Sequence, residues 1–323
     1  MPHSTNILIK GFYRTGSHAL VDLLSEYDNV GILPFEFNHF RAPANVADQL
    51  KESTSQLWPN QINEAIKSRS LRWRLPDAIM PDHVVKIPIF YEILKNIPGM
   101  NSFIKKKAYI ISLKTLNKFL ISDISFEDKI ERTKIWLKEI GLIYAKGKDF
   151  LVFDQPIFPS TSIEVWPQVF EPFKMIYSIR NPIDQFADII RSGFLLEPFC
   201  APRITWAGGL FEIIYGRDRA GALAIFRDAV KRLYDDMDYI QQNVNPENIL
   251  IVEFEKLVSD YQYQVDRIEN FIGGLKGHHA FPGTRFIPEL SVNNIGIQNS
   301  FLTKEEIKGL AGIENAYRKK IVA

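Results

Sequence analysis

The 323 residues contain a single cysteine, Cys200. One thiol cannot close an internal disulfide, which fits a reducing compartment. A chain of this length buries enough apolar surface to fold without a disulfide or metal staple. Charge of one sign is also lacking: 39 Lys and Arg against 38 Asp and Glu leave a formal charge of +1. That balance argues against a nucleic-acid protein held by a broad positive field, and leaves room for a local basic pocket. No apolar run approaches the roughly 20 residues of a membrane helix. The opening Met1-Pro2-His3-Ser4-Thr5 has no basic stretch followed by a long apolar one, so no secretory signal is expected. A cytoplasmic protein without an integral membrane segment is the expectation. No Pro/Gly/Ser linker, charge block or internal repeat divides the sequence, and residues 1–323 read as a single domain.

Short β-rich runs alternate with longer helical patterns. Strands are expected at 6–10, 30–33, 83–87, 150–153, 175–179 and 249–252. Phe226, Val230, Leu233, Met237 and Ile240 mark one face of a long helix, and 127–144 and 261–272 read as helical. Ile110, Leu113, Leu116 and Leu120 fit a further helix. Short, continuously apolar strands separated by helices predict an α/β protein, a central parallel sheet flanked by helices. Mostly helical, polar insertions near 45–81 and 101–147 are expected to shape a substrate cleft.

The most informative segment is the first strand-to-helix junction, Ile9-Lys10-Gly11-Phe12-Tyr13-Arg14-Thr15-Gly16-Ser17-His18-Ala19. A strand running into a Gly-bounded turn and then a helix points backbone N–H groups and the positive helix end at one spot. Arg14, Thr15 and Ser17 add donors to this anion cradle. The spacing Gly11-x-x-x-x-Gly16 matches the glycines of a nucleotide-triphosphate loop. Such a loop continues with Lys and then Ser or Thr, where Ser17 and His18 stand here, and the charge sits at Arg14 instead. An ordinary ATPase or kinase is disfavoured. A tight turn with a solvated Arg14 is the plainer alternative.

A second anchor lies at Met175-Ile176-Tyr177-Ser178-Ile179-Arg180-Asn181-Pro182-Ile183-Asp184. A strand ends in Arg180, and Pro182 suits a first helical turn. A guanidinium at a strand's carboxyl end points into the crevice where α/β sheets bind ligands, and Arg suits bidentate phosphate contact. The alternative is a structural pair of Arg180 with Asp184 or Asp188.

These two segments together resemble the sulfotransferases that use 3′-phosphoadenosine 5′-phosphosulfate (PAPS). Arg14-Thr15-Gly16-Ser17-His18 resembles the family's Lys/Arg-Ser-Gly-Thr-Thr loop, with His18 in place of the usual Thr. By that resemblance Arg14, Thr15, Gly16, Ser17 and His18 bind the 5′-phosphosulfate, and Arg180 binds the 3′-phosphate. The family motif places a Ser eight residues after the Arg, where this chain has Asp188. A carboxylate repels phosphate, so either Ser192 or another donor substitutes, or Asp188 turns away to a cation. Ile251-Val252-Glu253-Phe254-Glu255-Lys256-Leu257 is similar to a mostly structural family strand. The stretch from Asn293 to Glu306 is similar to the loop and helix that cover the nucleotide. There the frequent Arg-Lys-Gly is absent, which leaves phosphate contacts to Asn293, Asn294 or backbone amides. Thr303 with Glu306 is also a capping box, with no function required. The resemblance implies a P-loop-NTPase-like sulfotransferase fold with helical insertions, and no metal.

Sulfonate transfer to a hydroxyl needs a base for the acceptor proton and stabilisation of the bridging oxygen. No His follows Val84-Val85-Lys86-Ile87-Pro88, where the family's small-molecule branch carries one. The carbohydrate and protein branches use a Glu. Pro34-Phe35-Glu36-Phe37-Asn38-His39-Phe40-Arg41 sets a carboxylate, an imidazole and an Arg among aromatic residues. A carboxylate buried there would have a raised pKa suited to a general base. Glu36 is therefore the expected base and His39 the runner-up, against a Glu36–Arg41 salt bridge with His39 capping a turn. The Glu-type base and the insertions favour a saccharide-containing acceptor. Asp154, after Phe153, either touches the acceptor or Arg14, or caps a turn. His278-His279 lacks metal-ligand spacing. Two alternatives stand beside the sulfotransferase: a P-loop-type phosphotransferase requiring Mg·ATP, and a nucleotide-binding relative without catalysis.

Overall fold

A computed structural model of the chain describes residues 5–11, 14–36, 100–120, 122, 124–157, 163, 165–192, 219–276 and 285–322. Five strands, β1 (Thr5–Gly11), β2 (Val30–Glu36), β3 (Phe150–Asp154), β4 (Phe173–Ile179) and β5 (Ile249–Glu253), form one parallel sheet in the order β2-β3-β1-β4-β5. The expectation of a parallel α/β sheet is met, and each strand runs one to three residues beyond its expected limits. The strand expected at 83–87 and the insertion at 45–81 lie outside the described residues, as do His39, Arg41, Cys200, His278 and His279.

The helices, in chain order, are α1 (Ser17–Leu24), α2 (Met100–Leu120), α3 (Phe126–Tyr144), α4 (Trp166–Phe170), α5 (Pro182–Arg191), α6 (Arg219–Asn243), α7 (Phe254–Ser259), α8 (Tyr261–Ile272), α9 (Pro288–Ser291), α10 (Gln298–Phe301) and α11 (Lys304–Val322). The chain divides into two compact units: Met1–Ala42 with Lys148–Ile163 and Glu171–Ala323, and Pro43–Gly147 with Glu164–Phe170.

The first unit holds the sheet. Ile7, Leu8 and Ile9 of β1 are all fully buried, which is why that run is continuously apolar rather than alternating. Leu20, Leu23 and Leu24 repeat at helical spacing on α1 and pack into a cluster with Ile7, Ile9, Val152, Ile176, Val252, Leu257 and Ile268. Each such side chain contributes roughly 1.5–3 kcal/mol by leaving water. Glu26, fully buried just after α1, accepts the amides of Arg285 (2.8 Å) and Phe286 (3.0 Å). On α6 the expected stripe of Phe226, Val230, Leu233, Met237 and Ile240 is buried throughout.

The topology positions the site. From β1 the chain passes to β2 on the far side of β3, and after β3 it crosses to β4 on the other flank of β1. Strand order therefore reverses about β1, and the crevice of such a sheet opens at the carboxyl ends around that switch. Gly11, Asp154 and Ile179 end the three central strands there.

In the second unit, α2 buries Ile110, Leu113, Leu116 and Leu120, as their spacing predicts. Tyr109 of α2 meets Trp136 of α3 at 6.4 Å between ring centres, and the Trp136 indole N–H donates to Ser112 Oγ at 3.1 Å. Ser125 caps α3 by accepting the Asp128 amide. Lys114 lies within α2, and just past its end the Ser122 hydroxyl donates to the Phe119 carbonyl at 2.6 Å.

No helix among the described residues is long and apolar enough to cross a membrane. Among the same residues no group of three or more His, Cys, Asp or Glu could hold a metal ion.

Candidate functional site

The loop after β1 is wound by two left-handed residues, Arg14 at φ 63° and Gly16 at φ 88°. For a non-glycine residue this conformation costs roughly 1–2 kcal/mol, so something must hold Arg14 there. The holder is β4. The Arg14 carbonyl accepts from Arg180 Nη1 at 3.0 Å, and the Thr15 carbonyl accepts from the Ser178 hydroxyl at 2.7 Å. A trans peptide points its N–H opposite its C=O. Drawing these two carbonyls toward β4 therefore turns the Thr15 and Gly16 amides to the other side of the loop.

Both loop glycines are required sterically. A Cβ on Gly11 would collide with Thr15 Oγ1 and lie 3.0 Å from Ser17 Cβ. A Cβ on Gly16 would enter the Phe254 ring, 3.0 Å from Cγ and Cε2. Gly16 leads into α1, whose N-terminus carries no side-chain cap and no acidic residue in its first turn. The positive helix end is thus not offset by a side chain of its own first turn. Ser17 is buried and His18 is exposed at this end.

β3 closes the cradle from the other side. Gln155, itself at φ 53°, donates its amide to the Ile9 carbonyl at 2.8 Å and accepts the Gly11 amide on Oε1 at 3.3 Å. The buried Asp154 sets Oδ2 3.5 Å from His18 Nε2, an ion-pair distance when the imidazole is protonated. Contact with the loop histidine is a role that none of the sequence expectations for Asp154 named. In the β2–β3 register Glu36 lies opposite Asp154, after an irregularity between Ile32 and Glu36. Glu36 is thus at the carboxyl edge of the sheet, two strands from β1, or about 10 Å at the usual strand spacing.

The second anchor is more heavily engaged than the resemblance implies. Arg180 is buried to 3% exposure and stacks over the Phe254 ring at 5.1 Å. Its Nη1 also donates to Asp188 Oδ2 at 2.9 Å, and its Nη2 donates to the Asn294 carbonyl at 2.5 Å. Asp188 Oδ1 accepts from Arg191 Nε (3.1 Å) and Nη2 (2.6 Å), and Arg191 Nη2 also donates to Asn294 Oδ1 at 2.6 Å. Burial pushes the Asp188 carboxyl up, but the combined hydrogen bonds and charges of Arg180 and Arg191 outweigh it and hold its pKa below the ordinary value. Of the two acids weighed as structural partners of Arg180, Asp188 is the one that pairs. Asp184 instead accepts the amides of Gly296 (2.7 Å) and Gln298 (3.2 Å), fastening the 292–298 segment to α5. Ser192, weighed as a replacement phosphate donor, caps the end of α5 with its hydroxyl on the Ile189 carbonyl at 2.9 Å.

Two further shaping residues, Phe254 and Glu255, come from the start of α7, directly after β5. Phe254 is both the platform under Arg180 and the wall against Gly16. Glu255 accepts the Asn181 amide at 2.8 Å and the Tyr317 hydroxyl at 3.1 Å; burial pushes its carboxyl pKa up against these bonds and the nearby Arg180. Periodicity gave no signal for either, because each acts on a residue far away in sequence. Thr303 and Glu306 form the expected capping box.

No family model and no curated protein matches the chain. Among solved structures it is similar to the sulfotransferase domain of the Synechococcus PCC 7002 olefin synthase, at 13% identity and a TM-score of 0.46, over 97% of this chain and 94% of that one. It is similar to the sulfotransferase domain of the curacin biosynthetic pathway at 13% identity and a TM-score of 0.46, over 97% and 98%. A sulfotransferase of Mycobacterium avium aligns at 15% identity and a TM-score of 0.42, over 98% and 77%.

Proposed function

We propose that residues 1–323 work as one sulfotransferase domain that moves a sulfonate group from PAPS to an acceptor hydroxyl, in a reducing compartment such as the cytoplasm. The observation that carries this reading is the convergence of the wound 14–18 loop, the uncapped start of α1 and Arg180 at the switch point of the sheet. The loop end suits a phosphosulfate: the Arg14 guanidinium, the amides of residues 15–18 and the Ser17 hydroxyl supply donors, with no acidic residue in the first turn of α1. The donor supplies a sulfonyl group already activated by its phosphate. In the transfer, the bond from sulfur to the bridging phosphate oxygen breaks and one from sulfur to the acceptor oxygen forms. Charge then develops on the bridging oxygen, where the loop donors and His18 stabilise it. The acceptor proton goes to a general base. Glu36 is the proposed base, with His39 next, and the Glu-type base favours a saccharide hydroxyl. The register of Glu36 beside Asp154, at the sheet edge that carries the loop, supports this choice. No metal has a role in the scheme.

The test is sulfonate transfer from radiolabelled PAPS to a panel of saccharide and phenolic acceptors, with and without Mg²⁺. Arg14→Ala should abolish transfer. Glu36→Gln should cut turnover at least a hundredfold and leave nucleotide binding intact, as expected for loss of a general base. Stabilisation only by Mg·ATP would identify a phosphotransferase instead. Nucleotide binding without turnover of any acceptor would identify a non-catalytic relative.

A further inference from the structure

The cluster at the Arg180 end contains its own anion. Arg180 and Arg191 bring two guanidinium charges together, and Asp188 stands between them, one carboxylate oxygen on each. The Arg180 and Asp188 side chains are 3% and 9% exposed, so water screens this pair little. Two backbone carbonyls, of Arg14 and Asn294, take further Arg180 donors, and Asn294 Oδ1 takes one from Arg191. Nε of Arg180 is buried without a hydrogen-bond partner among the described residues. A phosphate dianion entering here meets a guanidinium pair already half-neutralised, and it meets the neutralising carboxylate at close range. With Asp188 absent, the two guanidinium charges would balance the dianion.

We propose that Asp188 is a resident counter-anion that competes with a ligand phosphate for Arg180 and Arg191, so that this end of the site discriminates weakly between adenine nucleotides with and without a 3′-phosphate. The inference rests on the nucleotide reading above and adds a specificity determinant to it. Asn294 makes the competition structural as well. Both guanidinium groups hold it, and Asp184 holds Gly296 and Gln298, so the 292–298 segment is fastened to α5 from two sides. A phosphate that draws Arg180 and Arg191 away from Asp188 must also loosen one of those fastenings.

Binding separates the possibilities without any acceptor. Titration calorimetry on the full chain, at one fixed salt concentration, compares adenosine 3′,5′-bisphosphate with adenosine 5′-phosphate. Wild-type protein should prefer the bisphosphate by no more than about tenfold, because the added phosphate gains little beside a competing carboxylate. Asp188→Ser, and independently the shape-conserving Asp188→Asn, should raise that preference by on the order of tenfold or more, with affinity for the monophosphate changed by about twofold or less. The unchanged monophosphate affinity reports that the loop end is intact in the variants. A wild-type preference well beyond tenfold, or variants that leave the ratio unchanged or lower it, would overturn the proposal. Should the variants not fold, the wild-type ratio decides alone. If wild-type protein binds neither nucleotide at millimolar concentration, the nucleotide reading itself fails, a result distinct from the other two.

Discussion

Gly16→Ala tests whether the loop is held by its packing as well as by its sequence. The glycine is at φ 88°, a conformation that costs an L-residue roughly 1–2 kcal/mol. Its new Cβ would also enter the Phe254 ring, and forcing a methyl into a packed site costs typically 1–3 kcal/mol. The two together predict a loss of about 2–5 kcal/mol in guanidinium denaturation. Phe254 cannot retreat freely, because it carries Arg180 at 5.1 Å on its face. A double-mutant cycle divides the loss. Phe254→Leu removes the ring edge, so in that background Gly16→Ala should cost only the backbone part, about 1–2 kcal/mol, leaving a coupling of about 1–3 kcal/mol. Additive effects would show that the ring does not press on the loop. A Gly16→Ala cost below about 0.5 kcal/mol would refute the reasoning altogether.

Three further perturbations probe the supports of the site. Asp188 has a folded pKa below its unfolded value of about 3.9. Its contribution to stability is therefore complete above that value and lost as pH falls through the lower, folded one; thermal melts should show the gap between wild type and Asp188→Asn narrowing from pH 5 to pH 2. A constant gap would count against the ion pairs. Asp184→Ala removes the acceptor for the Gly296 and Gln298 amides, and those two should exchange hydrogen at least tenfold faster, with little change in the β1 amides. Glu26→Ala leaves the Arg285 and Phe286 amides without their carboxylate, and at about 1–3 kcal/mol per orphaned buried group the chain should lose roughly 2–6 kcal/mol in chemical denaturation. A loss under about 1 kcal/mol would mean that water replaces the carboxylate there.

Local pattern carried a large part of the fold. The strands around Ile7–Ile9, Phe150–Phe153, Met175–Ile179 and Ile249–Val252 were legible because a two-sided sheet demands unbroken apolar runs. The Phe226–Ile240 stripe was legible because burial on one helix face leaves a 3.6-residue period. The loop after β1 was legible too, since Gly11 and Gly16 mark places where a side chain does not fit.

What the sequence by itself determined, then, is the strand–loop–helix with its arginine and the second arginine ending another strand. Both are local, and their signals are steric and periodic. Tertiary structure alone decided what those arginines touch. Asp184 and Asp188 lie one helical turn apart on α5 and are equivalent candidates in sequence, yet one meets Arg180 and the other the amides of Gly296 and Gln298. Phe254 and Asn294 complete the surroundings of Arg180 from 74 and 114 residues away. A charge finds its partner by the packing of whole elements, and no spacing along the chain records that geometry.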